Sequence, residues 1–515
     1  MLHYFYLLAF TLLQLHFEAC APPSTQSEQP ASETVDPTPR EIEAPPSRVS
    51  NLHKDLFSKY DRYREKTIRD RRFKHKDIIP LIQQLRGPFS VALVGRSIED
   101  REIYKVTLGN GPVKVLLWSQ MHGDESTATM ALMDMFNFFV ADDEFNEFRR
   151  QLLNELTIVV IPLLNPDGAE RFQRRNALGI DLNRDAVRLQ CPESRILKQV
   201  RDELHADWGF NLHDQNRYYA AGRNAKTATI SFLAPAYNVE KEINTSRGNA
   251  MRLIGLMNAM LQNYIPGQVA RYDDEFEPRA FGDNIQKWGT STILIECGGM
   301  PNDPDKQYIR KLHFVALLTA FDAIARKQYE PVELSAYEQI PYNDNGAFHD
   351  LILREVQIEK GGENYLVDIG YQRREVSYDG NRQYYYSAEI SDMGDLSVFH
   401  AYDELEGQGY KAVPGKTYTR TIASVAELKK LDAVELLRQG YTAIRMQNPP
   451  TRSKYVYFPF KILTGKNQED SVILPGRNPS LVMKKGSQAR YVAVNGFLFD
   501  LDKDQEEIRQ LINGL

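Results

Sequence analysis

The chain has 515 residues, of which 42% are hydrophobic and 26% are charged, and its formal net charge is -6. These values are typical of a globular protein, and the length predicts two or three domains with large cores. The sequence has no basic patch and no interleaving of basic and aromatic residues of the kind that nucleic-acid-binding proteins show. We therefore expect no nucleic-acid partner.

The N-terminal segment has the composition of a leader. Tyr4 to Leu15 is mostly apolar but too short for a good membrane span, and Cys20 follows directly after Phe17-Glu18-Ala19. We interpret residues 1–20 as a signal peptide that ends at a lipidated Cys20, although the lipobox is loose and no Lys or Arg precedes the apolar run. The alternatives are a cleaved secretory signal, an uncleaved anchor or a misassigned start.

Residues 21–50 are expected to form a disordered tether. They hold seven prolines, five acidic residues and few large apolar side chains, so they cannot bury enough surface to fold. Together, leader and tether predict an extracytoplasmic protein that a lipid on Cys20 attaches to a bacterial membrane, facing the periplasm or the cell surface.

Residues 51–330 alternate between strand-like and helix-like patterns. The predicted strands are Phe89 to Val94 and Glu102 to Leu108 (a hairpin), Val113 to Trp118, Leu156 to Leu163, Phe210 to Leu212, Ser231 to Leu233 and Thr292 to Ile295. The predicted helices are Asn51 to Thr67, Ser126 to Val140, Pro192 to His205, Glu240 to Tyr264 and Lys306 to Ala325. Unbroken apolar strands that alternate with helices predict an α/β fold with a mixed, largely parallel sheet and helices on both of its faces.

Residues 331–515 read as a β-rich accessory region of unknown role, possessing one helix-like insert at Val425 to Gln439. The predicted strands are Leu351 to Ile358, Tyr365 to Tyr371, Gln383 to Ile390, Val456 to Ile462, Leu481 to Met483 and Arg490 to Val494. Tyr384 to Tyr386 are interpreted as strand residues rather than as a binding platform. Cys191 and Cys297 are either paired or free, and a buried free thiol is favoured for Cys297, which follows an apolar strand.

Chemically suggestive residues follow the apolar strands. His122 and Glu125 come after the strand that ends at Trp118, His213 ends another strand, and Glu296 ends the last one. A catalytic zinc ion takes three protein ligands and leaves one position for water, and two histidines with a glutamate can supply them. A separate carboxylate is needed to take the proton of the water, and a cationic side chain is needed at the developing oxyanion. In open parallel sheets such sites gather at the carboxyl ends of strands.

Residues 60 to 326 resemble the zinc carboxypeptidase family of carboxypeptidase A-like metallopeptidases. The matching motifs occur in the family's order: His-x-x-Glu at His122 and Glu125, Asn-Pro-Asp-Gly at 165–168, Asp-x-Asn-Arg at 181–184, His213 at one strand end and Glu296 at a later one. Each motif alone is weak, but five in the right order and strand context are specific.

The resemblance implies a role for each matched residue. His122, Glu125 and His213 bind one zinc ion per chain, and Glu296 is the general base and acid that activates the zinc-bound water. Arg174 stabilises the oxyanion; Arg171 and Arg175 lie close by, but the spacing of Arg174 to Asn183 favours Arg174. Asn183 and Arg184 bind the terminal carboxylate of the substrate, and Asp181 orients His122.

Some positions depart from the family pattern or stay ambiguous. The family has a tyrosine on a mobile loop about twenty residues before the base, and Tyr272 is the candidate for it in substrate binding. Asp283 lies where specificity residues often fall, and it either selects a basic side chain or caps a helix. Asp124 and Asp214 flank the ligands and either support them or are simply exposed.

The sequence therefore predicts a zinc metallocarboxypeptidase that hydrolyses the C-terminal peptide bond of peptides. A related zinc amidase or deacylase, acting on N-acyl amino acids or cell-wall peptides, would use the same metal and base. A non-catalytic binding protein on the same fold is the third possibility, and it is disfavoured because neither a ligand nor the base is missing.

Overall fold

The computed structural model describes residues 51–451 and 456–515. The predicted signal peptide, the lipidated Cys20 and the tether lie outside these residues. Among the helices described, none combines the length and the apolar character needed to cross a membrane. The described residues form one compact unit, in which an α/β part is followed by a β-rich part.

Strands and helices alternate in the α/β part. Its strands are β1 (Phe89–Arg96), β2 (Glu102–Leu108), β3 (Val113–Ser119), β4 (Leu156–Ile161), β5 (Trp208–Asp214), β6 (Ala220–Ala221), β7 (Ile230–Leu233), β8 (Val269–Arg271) and β9 (Ser291–Cys297). Its helices are α1 (Leu52–Lys59), α2 (His75–Gln83), α3 (Thr127–Val140), α4 (Asn146–Glu155), α5 (Pro166–Arg171), α6 (Pro192–Leu204), α7 (Thr245–Leu261), α8 (Phe281–Lys287) and α9 (Gln307–Ala325), and short 3-10 turns span Tyr60–Arg62 and Leu182–Arg184.

Eight of these strands form one mixed sheet in the order β1-β2-β4-β3-β5-β9-β7-β8. The four central strands β4, β3, β5 and β9 are parallel, whereas β1 and β2 form the predicted antiparallel hairpin at one edge. The carboxyl ends of β3, β5 and β9 therefore meet at the same edge of the sheet. This edge carries every predicted metal ligand and the predicted base.

Helices cover both faces of the sheet, which confirms the predicted fold class. Val115 and Leu117 of β3 pack with buried residues of α1, α3, α7 and α9 on one face. Leu116 and Trp118 point the opposite way and pack with α6 and α8. Since successive side chains of a strand alternate between faces, an unbroken apolar run such as β3 must be covered on both sides.

The β-rich part consists, in its described residues, of twelve strands and four short helices. Its strands are β10 (Asn343–Asp344), β11 (Phe348–Lys360), β12 (Glu363–Tyr378), β13 (Gln383–Gly394), β14 (His400–Glu406), β15 (Lys411–Pro414), β16 (Lys416–Thr417), β17 (Tyr441–Arg445), β18 (Lys461–Leu463), β19 (Leu481–Lys485), β20 (Gln488–Val494) and β21 (Phe497–Asp500). Its helices are α10 (Ser335–Glu338), α11 (Val425–Leu428), α12 (Ala433–Arg438) and α13 (Gln505–Asn513). The main sheet has the order β13-β12-β11-β15-β19-β20-β21, and β14 pairs with β11.

Several predicted elements have wrong boundaries. The helix expected over Asn51 to Thr67 ends at Lys59, where a 3-10 turn follows and the hydroxyls of Tyr60 and Tyr63 donate to Asp134 and Asp143. Residues three apart lie on the same side of a 3-10 turn, so Tyr60 and Tyr63 both face inward. In a continued α-helix, with about 3.6 residues per turn, their side chains would be less well aligned.

Capping residues and a proline account for the other boundary errors. The helix expected from Glu240 begins only at Thr245, because the Asn244 side chain accepts a hydrogen bond from the Arg247 backbone N–H. The helix expected over Val425 to Gln439 is interrupted, since Asp432 caps the start of α12. The strand expected from Val456 shortens to β18, which begins two residues after Pro459.

Candidate metal centre and active site

Three buried side chains converge at the carboxyl edge of the central sheet. The Nδ1 atom of His122 lies 2.8 Å from Oε1 of Glu125 and 3.1 Å from Nδ1 of His213, and the latter lies 2.6 Å from Oε2 of Glu125. One ligand atom from each of the three lies within 4.8 Å of the others, so one metal ion could contact all three. The structure thus brings together the three residues that the sequence predicts as ligands.

The chemistry of these atoms fits a divalent cation. The Nε2 atom of His122 lies 3.0 Å from Oδ1 of Asp181, so an N–H there donates to the carboxylate and leaves a lone pair on Nδ1. That lone pair faces the carboxylate of Glu125, and two acceptors at this separation need a positive charge between them. Two imidazole nitrogens and one carboxylate are a donor set of catalytic zinc sites.

The pKa of His122 reflects the same demand for positive charge. Burial lowers this pKa, but the charge of Glu125 and the hydrogen bonds to Asp181 and Glu125 outweigh burial and raise it to about 9. Burial raises the pKa of Glu125, whereas the charges of His122 and His213 lower it, and the net shift is downward. The cluster therefore holds either a proton or a cation, and a bound metal would take the place of the proton.

Glu296 stands next to the metal ligands in a different environment. It faces His213 in the parallel pairing of β5 with β9, and within the described part of the chain its Oε2 atom is buried without a hydrogen-bond partner. Burial, and then the charge of Glu125, raise the pKa of Glu296 well above its ordinary value. A carboxyl group with a raised pKa beside a metal site is suited to accept and return a proton.

Arg174 reaches the cluster, and its neighbours do not. Its Nη1 atom lies 3.1 Å from Oε1 of Glu125, and its Nε donates to Oδ2 of Asp181 at 3.0 Å. Arg171 instead binds Glu99 and the backbone oxygen of Asp167, and Arg175 binds the backbone oxygen of Gly179. Arg174, which its spacing to Asn183 favours in the sequence, is thus the one of these three arginines that contacts the predicted metal ligands.

Asn183 and Arg184 lie one short turn from the cluster. Oδ1 of Asp181 accepts the backbone N–H of Asn183 at 2.9 Å, and the buried Asn183 amide oxygen accepts the backbone N–H of Phe281 at 2.8 Å. Arg184 is exposed, and its Nε lies 3.3 Å from Glu277. A flexible guanidinium is thus held beside a fixed amide, which is an arrangement that can bind a carboxylate.

Residues 82–227 match the family model for zinc carboxypeptidase. The resemblance to this family is confirmed. Probable carboxypeptidase 2 of Arthroderma benhamiae is 27% identical over 139 residues, which are 26% of this chain and 25% of that protein. Carboxypeptidase D of Rattus norvegicus is 30% identical over 112 residues, or 19% of this chain and 8% of that one. The chain therefore spans about a quarter or less of the length of these relatives.

Solved structures with some likeness include a metallo-carboxypeptidase from Burkholderia cenocepacia. It has a TM-score of 0.40 and 18% identity over 50% of this chain and 69% of that one. Carboxypeptidase A from Helicoverpa armigera gives a TM-score of 0.39 and 14% identity over 56% and 81%. The zinc carboxypeptidase match by sequence contains all three metal-ligand candidates, whereas Glu296 lies beyond its end.

Tyr272, predicted in substrate binding, lies near the base. Burial, then the charge of Glu296 and then Tyr219, raise the pKa of Tyr272, and the rings of Tyr219 and Tyr272 lie 5.9 Å apart. Tyr219 is a neighbour of the site that the sequence analysis missed. It stands in a run of tyrosine and alanine after β5 that has no recognisable pattern.

A second group that the sequence did not reveal supports the strand ends. The backbone N–H of Asp214 lies 3.3 Å from Oε2 of Glu125, and the Thr127 hydroxyl donates to the Asp214 carboxylate at 2.6 Å. Nζ of Lys306 lies 3.2 Å from the same carboxylate and donates to the backbone oxygen of Cys297 at 2.7 Å. Lys306 therefore joins the strand end that carries His213 to the strand end that carries Glu296.

The structure also shows the environments of the two acidic residues and the two cysteines whose roles the sequence leaves open. Asp283 is buried and accepts the backbone N–H of Glu277 at 3.0 Å, and burial raises its pKa to about 7. Burial, followed by the charge of Glu125, raises the pKa of Asp124 to about 6. Cys191 and Cys297 are both buried and free, so they do not pair with each other.

Proposed function

We propose that this chain is a zinc-dependent metallocarboxypeptidase that hydrolyses the C-terminal peptide bond of peptides. The observation that carries the proposal is the register of β5 with β9, which sets Glu296 beside the ligand candidate His213, with the Oε2 atom of Glu296 buried and without a hydrogen-bond partner among the described residues. A metal-binding triad alone fits many functions. A base of raised pKa next to it favours hydrolysis.

The ligands of the zinc ion would be His122, Glu125 and His213. A zinc ion bound there would polarise the substrate carbonyl and lower the pKa of a water molecule. Asp181 holds the ring of His122 through Nε2, so that Nδ1 keeps its direction toward the other two ligands.

The remaining residues would carry out the proton and charge transfers. Glu296 would accept the proton of the attacking water and pass it to the nitrogen of the departing residue. Arg174 would donate hydrogen bonds to the oxyanion that develops on the former carbonyl oxygen. Asn183 and Arg184 would bind the terminal carboxylate and thereby place the last peptide bond over the centre, and Tyr272 would border the bound residue near Glu296.

The chain would act outside the cytoplasm if the predicted leader is functional. We propose that Cys20 carries a lipid that holds the protein at a bacterial membrane. Mass spectrometry of the N-terminal peptide from the native host would show a diacylated Cys20, and an unmodified residue 20 would contradict attachment.

A peptide library examined by mass spectrometry tests the proposed reaction. We expect loss of single C-terminal residues, dependence on bound zinc, and inhibition by a chelator that zinc reverses. N-acyl amino acids in the same assay serve as the competing substrates. Faster hydrolysis of these compounds than of peptides would favour a deacylase instead.

Glu296→Gln is the decisive variant for the mechanism. It keeps the size of the side chain but cannot accept a proton, so kcat should fall by about 10²–10⁴-fold while zinc content stays near that of the wild type. Glu275→Gln, a change at an exposed glutamate of the loop before α8, is the matched control and should remain active. Full activity of Glu296→Gln would remove Glu296 from the role of base.

A further inference from the structure

A cavity of about 760 Å³ lies where the α/β part meets the β-rich part. Gln215 and Gly298 contribute to it, each two residues beyond His213 and Glu296 respectively. Half-buried aromatic side chains of the β-rich part line the opposite side: Tyr384, Tyr386, Tyr402, Tyr457 and Phe497. Pockets that enclose small ligands have volumes of roughly 300–1,000 Å³, so this junction cavity has the size of a binding site.

The cations of the junction cavity are fixed and already paired. The guanidinium carbon of Arg217 lies 4.6 Å from the ring centre of Tyr402, and that of Arg373 lies 3.8 Å from the ring centre of Phe497. Both arginines also pair with Asp350. Aromatic faces with hydroxyl and guanidinium donors at their edges suit a peptide, which offers apolar side chains and backbone carbonyls, better than a strongly charged ligand.

The junction cavity continues a line of contacts that starts at the proposed carboxylate anchor. Asn183 contacts Asp181, which bonds His122 of the triad. On the far side of the triad, Glu125 accepts from the backbone of Asp214, whose carboxylate pairs with Lys306, and Lys306 lines the cavity. A continuous series of contacts therefore links the anchor, the metal-ligand candidates and the junction cavity.

Gly299 lets the β-rich part approach the end of β9 closely. A Cβ atom on Gly299 would lie 2.1 Å from the hydroxyl oxygen of Tyr402. The Tyr402 hydroxyl donates to the backbone oxygen of Arg217 at 2.6 Å. The aromatic side of the cavity is thus in direct contact with the segment that follows Glu296.

We propose that the junction cavity binds the part of a peptide substrate that lies on the amino side of the cleaved bond. This inference rests on the proposed carboxypeptidase function, since a peptide held by its terminal carboxylate at Asn183 and Arg184 extends across the triad toward the cavity. The β-rich part then has a function: it selects peptides of several residues over dipeptides and acyl amino acids.

A substrate-length series tests the inference. Acetylated peptides with the same two C-terminal residues and zero to four further residues are hydrolysed by the wild-type protein and by Tyr386→Ala. We expect kcat/KM of the wild type to rise with length, and Tyr386→Ala to lose about three- to tenfold on the longest peptides only, as expected for one aromatic contact. Tyr385→Ala changes the neighbouring residue, which points to the other face of β13, and should keep the length dependence.

The outcomes separate this inference from the proposed function. If the wild type hydrolyses none of the peptides, the carboxypeptidase proposal fails as well; if it hydrolyses them without any effect of length, only the cavity inference fails. An equal loss on all lengths in Tyr386→Ala would also overturn it. Should Tyr386→Ala not fold, Glu507→Trp adds bulk at an exposed position that lines the cavity, and it must reduce turnover of the long peptides selectively.

Discussion

At the scale of single residues, the site contrasts carboxyl groups in different surroundings. Glu125 and Asp181 face imidazole and guanidinium groups, which lower their pKa values against the effect of burial. The Oε2 atom of half-buried Glu296 has no hydrogen-bond partner among the described residues, and burial, followed by the charge of Glu125, raises the pKa of this carboxyl. When the surroundings of two neighbouring acids shift their pKa values in opposite directions, the acid with the lower pKa is suited to be a metal ligand and the other is suited to be a base.

Asp283 offers a pH-dependent prediction away from the metal ligands. Its pKa is about 7 in the folded protein against 3.8 as the ordinary value, so the folded state binds the proton more tightly. The contribution of Asp283 to the free energy of unfolding is fully present below pH 4. It is lost as the pH rises from 4 to 7 and remains lost above pH 7. Asp283→Asn should therefore be more stable than the wild type at pH 8, by about 2–4 kcal/mol, with no difference near pH 4.

Urea unfolding of both proteins between pH 4 and pH 8 measures this difference. Asparagine still accepts the backbone N–H of Glu277, so this hydrogen bond is preserved in the variant. A difference that does not change with pH would show that Asp283 is charged throughout. In that case one of the two predicted roles of Asp283, the selection of a basic side chain of the substrate, would gain support.

The sequence predicted many of the residues that meet at the centre, because the family motifs keep their order and follow apolar strands. The positions of Lys306, Thr127 and Tyr219 near the site were not predicted, because none belongs to a motif and their contacts depend on tertiary packing. The sequence pattern, for example, places Lys306 only at the start of a predicted helix, whereas its hydrogen bond to the end of β9 depends on the path of the chain over 298–305. A single lysine carries no spacing that would reveal this.

At the scale of elements, two loops meet where the metal ligands begin. The Asn165 side chain donates to the backbone oxygen of Met121 and accepts the backbone N–H of Gly168. The Asn-Pro-Asp-Gly turn after β4 therefore supports the His122 loop after β3. The contacts of this motif are those of a structural support.

Gly123 allows this close approach and predicts a sensitive position. A Cβ atom there would lie 1.9 Å from the carbonyl carbon of Gly168, so Gly123→Ala must push the two loops apart. We expect a loss of at least about 1–3 kcal/mol in unfolding free energy together with reduced zinc content. Gly248→Ala in α7 is the control, because its Cβ would meet the end of the Arg252 side chain at 3.3 Å and a methyl group of Ile243 at 3.5 Å, and no backbone atom. Normal zinc content in Gly123→Ala would contradict the coupling of the loops to the site.

The boundaries of helices and strands were predictable where the apolar pattern alone determines them. They were not predictable where a capping residue or a tertiary contact determines them. β2 has the predicted bounds, and α3 begins one residue later than expected. The short α8 was missed because its seven residues carry too few apolar positions for a helical period. It nevertheless positions Asn183 through the backbone of Phe281.

At the scale of the whole molecule, the β-rich part is joined to the α/β part by specific contacts. β10 pairs with β6, and Arg72 bonds Glu375 at 2.6 Å while its guanidinium carbon lies 4.7 Å from the ring centre of Tyr384. Arg72 also stacks on Phe172, two residues before Arg174. Arg72 therefore links the β12–β13 hairpin to the segment that carries the proposed oxyanion residue.

The sheet of the β-rich part could not be derived from the sequence. β11 pairs antiparallel with β12 but parallel with β14 and β15, and parallel neighbours require crossover connections that strand patterns do not reveal. The sequence predicted that strands exist there, as runs of alternating residues, but neither their order nor their lengths. β12 spans Glu363–Tyr378, more than twice the predicted strand.

Asp350 joins the two parts and yields a prediction for the intact chain. It is fully buried, pairs with Arg217 and Arg373, and accepts the hydroxyl of Tyr218 at 2.5 Å. Asp350→Ala would leave two guanidinium groups sharing no carboxylate, so we expect unfolding free energy to fall by about 3–5 kcal/mol. Asp395→Ala, at an exposed turn, should change it by less than about 1 kcal/mol. The Asp350 cluster joins the two parts, so we expect Asp350→Ala to unfold in urea in two separate transitions. Circular dichroism and peptide hydrolysis, measured on the same samples, would detect them. A single transition at unchanged stability would show that other contacts hold the two parts together.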